Sequence, residues 1–326
     1  MCTAISANGY FHLFGRTLDF EHSYGQRVVT VPRKFRMSFL YESSPTSHSA
    51  IIGVACIQQN TPLFFDAINE HGLAAAALNF PNNAVYRHPE PSARNVGSFE
   101  LIPWVLCQCE TIYDAVRLLN NVNITNDSFS PSLPSSPLHW MIADRESCIV
   151  AEPVSDGLKI YENPFGVLTN SPEFPYHSTH VRDFMSLGSY PPENSLCPSV
   201  KLSHYSRGLG AVGLPGDMSS ASRLVRAVFV KSHTDLPQDR NEASEVCRFF
   251  HIADTVSQPC GCVKTEEGKS VRTIYTSCAN TDTLSYYFTT YGCRRIRAVT
   301  PTEECLNGSS LMTFSMDAEE DILRLL

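Results

Sequence analysis

The chain begins MCTAIS (residues 1–6) and returns through FGRTLDFE (residues 14–21), and these two stretches decide how the rest of the chain is interpreted. Between them lies Asn8-Gly9, a dipeptide typical of tight turns between paired strands. We therefore expect an antiparallel pair, Cys2–Ser6 with Phe11–Phe20, at the start of the fold. A cysteine directly follows the initiator Met, so removal of Met1 would make Cys2 the first residue.

An N-terminal cysteine carries a thiol and a free α-amino group on one residue. An α-amino group with a pKa of about 7.7–8.0 is substantially neutral at physiological pH, whereas an ordinary thiol, near about 8.5, is mostly protonated. The amine can act as the general base that activates the sulfur, which contributes roughly 10²–10⁴ in rate. The pattern favours a nucleophile at Cys2, and the alternative is an ordinary buried or frayed terminal residue.

Arg16 and Asp19 lie on the strand that is expected to return beside Cys2. The charge of Arg16 would favour the thiolate, and Asp19 would orient the amine by accepting its hydrogens. Residues three apart on an extended strand face opposite sides, so both reach one pocket only if the strand ends or bulges between them. Gly15 makes a bulge plausible, and a structural ion pair is the alternative.

Composition and charge limit the class of protein. With 43% hydrophobic and 18% charged residues over 326 positions, and without an evident linker, we expect one globular domain, residues 1–326, that loses Met1. A net charge of -8 without a basic run excludes nucleic acid as the expected partner. The first twenty residues do not resemble a secretory signal, and no stretch approaches the ~20 apolar residues of a membrane helix. We expect a cytoplasmic protein without a membrane partner.

The twelve cysteines are scattered, unlike those of a small disulfide-bonded domain. Cys107 with Cys109, and Cys260 with Cys262, are each spaced C-x-C, whereas strong zinc signatures pair two C-x-x-C or C/H knuckles. We expect no metal site. A non-catalytic, cysteine-rich binding or metal-storage protein, in which Cys2 is incidental, is the alternative from another functional class.

Strands in blocks, separated by pairs of helices, indicate two stacked, mostly antiparallel sheets with helices outside, an α+β arrangement. An apolar repeat of three and four residues from Ser98 to Leu119 predicts two helices, and two more are expected at Ser220–Lys231 and Ala243–Val256. The polar, Pro- and Ser-rich stretch 123–137 predicts a long loop, either functional or a plain surface connection. The remaining expected strands are Arg27–Val31, Ala50–Ile57, Leu63–Asn69, Gly72–Phe80, Leu138–Ala143, Cys148–Pro153, Leu158–Tyr161, Gly166–Thr169, Arg272–Ala279, Thr283–Tyr291 and Arg295–Val299.

MCTAIS together with FGRTLDFE resembles the choloylglycine hydrolase family, cysteine members of the N-terminal nucleophile hydrolases. The similarity continues in order through HGLAAAALNFP (71–81), PLHWMIAD (137–144), GVLTNSP (166–172) and GLPGDMSSASRLVR (213–226). The resemblance implies a four-layer αββα sandwich and amide hydrolysis through a thioester, with no metal or organic cofactor. It also implies a homotetramer.

Carried over by resemblance, Cys2 matches the nucleophile, and Arg16 and Asp19 match the polar pair beside it. Asn79 and Asn170 match the residues that form the oxyanion hole, and Arg223 matches the arginine that supports the charged centre. From the residues alone, each Asn reads as a turn residue at a strand end, and Arg223 as a solvated helix residue.

The resemblance extends to conjugated bile salts as substrate, that is, glycine or taurine amides of cholic-type acids. Penicillin V acylase, or another linear-amide hydrolase of the same family, is the alternative, but those acylases commonly have Tyr where this chain has Asn79. A steroid acid requires a broad apolar pocket. Its expected walls are Leu18, Ile57, Phe64, Phe65 and Leu133, with only one of the adjacent phenylalanines facing the pocket.

Overall fold

In the computed structural model, which describes residues 1–43 and 45–325, the chain forms two large antiparallel sheets flanked by helices. The strands are β1 Cys2–Asn8, β2 His12–Phe20, β3 Arg27–Val31, β4 Ile51–Gln58, β5 Thr61–Asn69, β6 Ala74–Asn79, β7 Arg94–Gly97, β8 Val122–Thr125, β9 Leu138–Ala143, β10 Cys148–Val154, β11 Gly157–Glu162, β12 Val167–Leu168, β13 Val263–Lys264, β14 Ser270–Asn280, β15 Ser285–Thr290, β16 Cys293–Val299 and β17 Met312–Ser315. The α-helices are α1 Leu101–Gln108, α2 Ile112–Leu119, α3 Phe174–His180, α4 Ser220–His233, α5 Glu242–Asp254 and α6 Glu303–Leu306, with 3₁₀ turns at Val181–Phe184 and Leu209–Ala211.

The first sheet has the strand order β12-β1-β2-β14-β15-β16, and β13 pairs with β14. The second sheet has the order β11-β10-β9-β6-β5-β4-β3-β17, and β7 and β8 form a separate parallel pair. The strand that carries the start of the chain, β1, therefore lies inside the first sheet, between β12 and β2. A chain terminus held in this way is fixed much more firmly than a terminus on a sheet edge.

Three groups of buried side chains define four layers. One group fills the space between the two sheets, one joins the outer face of the second sheet to α1 and α2, and one joins the outer face of the first sheet to α4 and α5. The alanine run shows the alternation: Ala74 and Ala76 lie between the sheets, whereas Ala75 and Ala77 face the helices. This is the αββα sandwich that the sequence predicts.

The predicted elements agree with the structure, with local differences. The long loop is shorter than 123–137 because its first residues belong to β8. The bounds of the last three predicted strands lie within about two residues of those of β14, β15 and β16. Sequence periodicity did not predict the elements that lack a periodic apolar face of their own. These are β7, β8, α3, β13, α6 and β17.

Across the described part of the chain, no helix combines the length and the apolar character that crossing a bilayer requires.

The carboxylate of Asp66 links the two sheets by hydrogen bonds. Asp66 on β5 accepts hydrogen bonds from Tyr275 (2.6 Å), Ser277 (2.9 Å) and Tyr286, all on the first sheet. Burial raises the pKa of Asp66, and the nearby Arg16 and these hydroxyl groups act in the opposite direction. Asp66 thus joins the two sheets through a fully buried polar cluster.

We expect Asp66→Ala to lower the free energy of unfolding by about 3 kcal/mol or more, because it leaves three buried hydroxyl groups without their acceptor and the buried Arg16 without a nearby opposite charge. Equilibrium unfolding in urea measures the change. The matched control is Asp156→Ala, which removes an exposed carboxylate from a turn. Equal unfolding midpoints for the two variants would contradict a structural role for Asp66.

Candidate active site

The first strand places the Cys2 side chain between the two sheets. Cys2 pairs with Leu18 in the β1–β2 register and is 1% exposed. Its side chain packs in the same inter-sheet group as Ala4, Phe14 and Leu18, and it lines a cavity of about 210 Å³. Both strands are regular at this point, so their register directs the sulfur toward the space between the sheets.

Arg16 lies on the same inner face and is 1% exposed. Its Nη1 donates to the backbone carbonyls of Phe65 (3.0 Å) and Ala77 (2.5 Å) on the second sheet, which holds the guanidinium at the cavity wall. Burial acts to lower the pKa of Arg16, but the charges of Cys2 and of Asp66 raise it above its ordinary value overall. The guanidinium therefore stays charged beside the sulfur.

Asp19 lies on the opposite face of β2, toward the helices. Its carboxylate accepts hydrogen bonds from Thr273 (2.6 Å) and Thr17 (3.2 Å), and Gln258 Nε2 approaches it to 3.4 Å. Burial raises the pKa of Asp19, although the charges of Arg223 and of the chain's amino terminus act to lower it.

The expectation that β2 bulges between Arg16 and Asp19 is wrong. The β1–β2 register is continuous from Cys2–Leu18 to Asn8–His12, and the irregularity lies in β14, between Thr273 and Tyr275. Gly15 serves a different purpose, because a Cβ there would lie 2.0 Å from the carbonyl oxygen of Ser277 on β14. The two charged side chains approach Cys2 from opposite faces of one strand.

Arg223 and Asn170 hold the backbone of Cys2. Arg223 Nη1 donates to Cys2 O (2.5 Å) and Thr3 Oγ1 (2.7 Å), and its Nη2 donates to Asn170 Oδ1 (2.7 Å). The same Asn170 oxygen accepts from Cys2 N at 2.8 Å. Burial lowers the pKa of Arg223, with Asp19 and Cys2 acting in the opposite direction. Arg223, at 0% exposure, is not the solvated helix residue that its sequence position suggests.

Asn79 and Asn170 are joined by a hydrogen bond, but only Asn79 lines the cavity. Asn79, the last residue of β6, lines the cavity. Asn170 follows β12 behind the Cys2 backbone, and its Nδ2 donates to Asn79 O at 2.7 Å. Its own backbone is held by Ser220 and His177, at 2.9 and 2.8 Å. Asn170 thus touches the Cys2 nitrogen directly and is not among the residues that line the cavity.

The structure includes Met1, which interacts with β2. The terminal amine donates to Asp19 O (2.6 Å), and Asp19 N donates to Met1 O (2.9 Å). While Met1 is present, the Cys2 nitrogen is an amide and cannot act as a base. Loss of Met1 would leave that nitrogen as an amine 2.8 Å from Asn170 Oδ1.

Four of the five residues expected to form the pocket walls line the cavity: Leu18, Phe64, Phe65 and Leu133. Both phenylalanines do so because Val54 pairs with Asp66 and Ala55 with Phe64, which leaves Phe65 as an extra, bulged residue. The expectation that only one of them faces the pocket is wrong. Ile57 packs against the core beneath the second sheet, and its neighbour Cys56 lines the cavity in its place.

Several cavity residues are absent from the sequence-based list. They are Phe20, Tyr24, Cys56, Leu63, Ala77, Ser98, Phe99, Phe129, Pro134, Ser136, Pro137 and Leu138. Tyr24 packs on Phe65 at a ring-centroid distance of 5.5 Å, and burial raises its pKa to about 12. Five of the lining residues belong to the predicted loop 123–137, so this loop forms a wall of the cavity. The cluster of aromatic residues at the end of β2 and just after it, FEHSY (20–24), is the signal that would have indicated Phe20 and Tyr24.

The cysteines outside the site lie in unlike surroundings. All twelve are free thiols. Cys107 and Cys109 are buried beneath the second sheet, where burial raises the pKa of both thiols, whereas Cys260 and Cys262 are exposed. Within residues 1–43 and 45–325, no group of three or more His, Cys, Asp or Glu side chains is arranged to hold a metal ion.

The arrangement supports nucleophilic acyl chemistry. A sulfur faces an apolar cavity beside a fixed cation, and its own backbone nitrogen is held on the other side by Asn170. An apolar cavity with a few fixed polar groups at one end suits a substrate with an apolar body and a polar reacting end.

The chain matches the family model of linear amide C–N hydrolases, choloylglycine hydrolase family, over residues 2–314. It is 41% identical to the bile salt hydrolase/transferase of Lactiplantibacillus plantarum over 98% of both chains. Its structure superposes on a crystal structure of a mutant conjugated bile acid hydrolase from Clostridium perfringens with a TM-score of 0.90 and 31% identity, over the whole of both chains. Penicillin V acylase from Agrobacterium tumefaciens shares the fold, with a TM-score of 0.76 at 19% identity over 98% of this chain and 92% of that one.

We expect Asn170→Ala to lower the turnover of an amide substrate by roughly 10²–10³, the scale for losing one fixed hydrogen-bonding group at a reacting centre. The substitution frees the Cys2 nitrogen and removes a partner of Arg223. Steady-state kinetics measure the effect, and Asn120→Ala, an exposed position at the end of α2, is the control. Unchanged turnover in Asn170→Ala would remove this residue from the site.

Proposed function

The chain belongs to the choloylglycine hydrolase family of linear amide C–N hydrolases, and we propose that it hydrolyses the amide bond of conjugated bile salts with Cys2 as the nucleophile. The observation that carries this proposal is the Cys2 side chain at the wall of an apolar cavity, beside the buried cation of Arg16. The bile salt hydrolases of Lactiplantibacillus plantarum and Clostridium perfringens, similar over nearly the whole chain, support this choice of substrate. The chain is thus a hydrolase of the linear-amide class.

In the proposed reaction, the α-amine of Cys2, freed by removal of Met1, takes the proton from the thiol. The sulfur attacks the carbonyl carbon of the amide, and the carbonyl oxygen becomes an oxyanion. The intermediate collapses as the C–N bond breaks, and the leaving glycine or taurine takes the proton from the α-ammonium group. Water then attacks the thioester, with the same amine as base, which releases the bile acid and restores the thiol.

Each polar residue of the site has a proposed role in this reaction. Arg16 stabilises negative charge on the sulfur from the cavity side, and Asp19 orients the amine from the helix side. Arg223 fixes the Cys2 carbonyl. Asn79, which lines the cavity, is proposed to donate to the oxyanion. Asn170 holds the Cys2 nitrogen in the proposal, and its donation to the oxyanion stays a prediction.

Leu18, Phe64, Phe65 and Leu133 are proposed to bind the steroid body through burial of apolar surface. Residues 1–326 are proposed to act as one domain without a cofactor. The homotetramer stays a prediction of the family resemblance, and the cytoplasmic location stays a prediction from the sequence.

The central experiment incubates the purified protein with glycocholate, taurocholate and penicillin V and measures the released amine. Intact mass checks that Met1 is absent. We expect glycine or taurine to be released, penicillin V to be a poorer substrate, and Cys2→Ser to be nearly inactive because an alcohol is a far weaker nucleophile here. Hydrolysis of the conjugates by Cys2→Ser at the rate of the parent protein would falsify the proposal.

A second prediction concerns the pocket wall. Phe65→Ala should raise KM for conjugated bile salts roughly 10- to 100-fold, because it removes a large apolar contact with the substrate. We expect kcat to change less than KM. Ile57→Ala is the matched control, since Ile57 packs in the core and not on the cavity; it should lower thermal stability and leave KM unchanged. A raised KM in Ile57→Ala together with an unchanged KM in Phe65→Ala would show that the steroid binds elsewhere.

A further inference from the structure

Asp19 is held from the helix side of the first sheet by residues that the reaction above does not yet include. Thr273 Oγ1 donates to Asp19 Oδ1 at 2.6 Å. Gln258 Nε2 lies 3.4 Å from Asp19 Oδ2, and Thr17 Oγ1 lies 3.2 Å from the same oxygen. Each carboxylate oxygen therefore has at least one donor, although the side chain is 0% exposed.

The strand register explains why Thr273 reaches this carboxylate. Thr273 is the direct cross-strand partner of Asp19 in the β2–β14 pair, so the two side chains project on the same face. The register shifts immediately afterwards, because Leu18 pairs with Tyr275 and Ile274 is the extra residue. Asp19 is thus placed opposite Thr273 at the last regular pair before the bulge.

Gln258 and Thr273 hold each other in place through their backbones. Gln258 N donates to Thr273 Oγ1 (2.8 Å), and Thr273 N donates to Gln258 O (3.0 Å). A backbone N–H can only donate, so the Thr273 hydroxyl accepts there and must use its single hydrogen for Asp19. The hydroxyl hydrogen is therefore directed at the carboxylate and cannot rotate to another partner.

The side-chain amide of Gln258 is oriented by the same carboxylate. An ionised carboxylate only accepts, so the nitrogen of the amide faces Asp19. Gln258 is 0% exposed, and among the described residues its Oε1 has no hydrogen-bond partner. A buried, unsatisfied oxygen is unfavourable, and such groups in native structures concentrate at functional sites. A leucine at position 258 would avoid this penalty, and the contact of the amide nitrogen with Asp19 is what offsets it here.

We propose that Thr273 and Gln258 are positioning residues for the hydrolysis: they hold ionised Asp19 in the orientation in which it directs the α-amine of Cys2. The proposal rests on Cys2 being the nucleophile, as argued above. The other charged groups near Asp19 are Arg223 on α4, the amino terminus itself, and Arg16 on the other face of β2.

The test compares Thr273→Val, Thr273→Ser and Gln258→Leu with the parent protein. Thr30→Val is the matched control, because Thr30 is a fully buried strand threonine of the second sheet whose hydroxyl has no partner among the described residues. Two quantities are measured across pH: kcat/KM for glycocholate, and the rate at which iodoacetamide alkylates Cys2, followed by mass spectrometry of the N-terminal peptide. The alkylation needs no substrate.

We expect Thr273→Val to lower kcat/KM about tenfold or more, the effect of losing a hydrogen bond to a charged group. The hydrogen bond from Thr273 acts to lower the pKa of Asp19, so its loss lets Asp19 take up a proton at higher pH. The acid limb of both profiles should therefore move to higher pH. Thr273→Ser should restore both profiles, Gln258→Leu should give a smaller shift in the same direction, and Thr30→Val should give none.

Three outcomes would overturn the proposal: unchanged kinetics in Thr273→Val, a lower rate with an unshifted acid limb, or failure of Thr273→Ser to recover activity. Thermal melting of each variant shows whether it has folded. If Thr273→Val does not fold, the comparison of Thr273→Ser and Gln258→Leu with the parent protein still tests the proposal. Shifted alkylation profiles in a protein that releases no amine from glycocholate would sink the proposed substrate and leave the positioning role intact.

Discussion

The structure depends on holding Cys2, the second residue of the chain, rigidly, although residues near chain ends usually fray. The fold meets this constraint by placing β1 inside a sheet, where β12 and β2 pair with its two edges. Arg223 then fixes the carbonyl of Cys2 through a side chain that is itself fully buried. The register of β12 covers only Ala4 and Ile5 of β1, so a helix residue more than two hundred positions away holds the Cys2 carbonyl.

The two faces of a β-strand divide the groups of Cys2 between two environments. Successive side chains point to opposite faces, so Arg16 reaches the inter-sheet cavity while Asp19 reaches the helix layer. The sulfur faces the cavity, and the backbone nitrogen is held by Asn170. A substrate that enters from the cavity can thus contact the sulfur without displacing the groups that hold the nitrogen.

The sequence predicts features that depend on local pattern, and it fails where distant segments meet. The β1–β2 pair, the helices α1, α2, α4 and α5, and the four-layer architecture follow from apolar periodicity and turn residues. Family resemblance selected Asn79, Asn170 and Arg223, which position alone would have assigned to turns and solvent. The bulge that brings Phe65 into the cavity lies in the register between β4 and β5, and no residue type in Leu63–Asn69 predicts it. Gln258 is brought to Asp19 by the path of the chain after α5, which periodicity does not encode.

The buried charges around Cys2 explain how these features operate together. Two guanidinium groups, Arg16 and Arg223, and two carboxyl groups, Asp19 and Asp66, are fully buried close to the terminal residue. Burying an isolated charge is strongly unfavourable, so such a cluster is stable only when its charges and hydrogen bonds compensate one another. In the proposed reaction, transfer of a proton from the sulfur of Cys2 to its own amine creates one negative and one positive charge and leaves the net charge of the cluster unchanged. Arg16 lies on the cavity side, where the proposal places the negative charge, and Asp19 lies on the helix side of β2, from which its carboxylate would favour a positive amine. In the proposed reaction, these fixed charges therefore favour the thiolate and ammonium pair, and Cys2 needs no base from another residue.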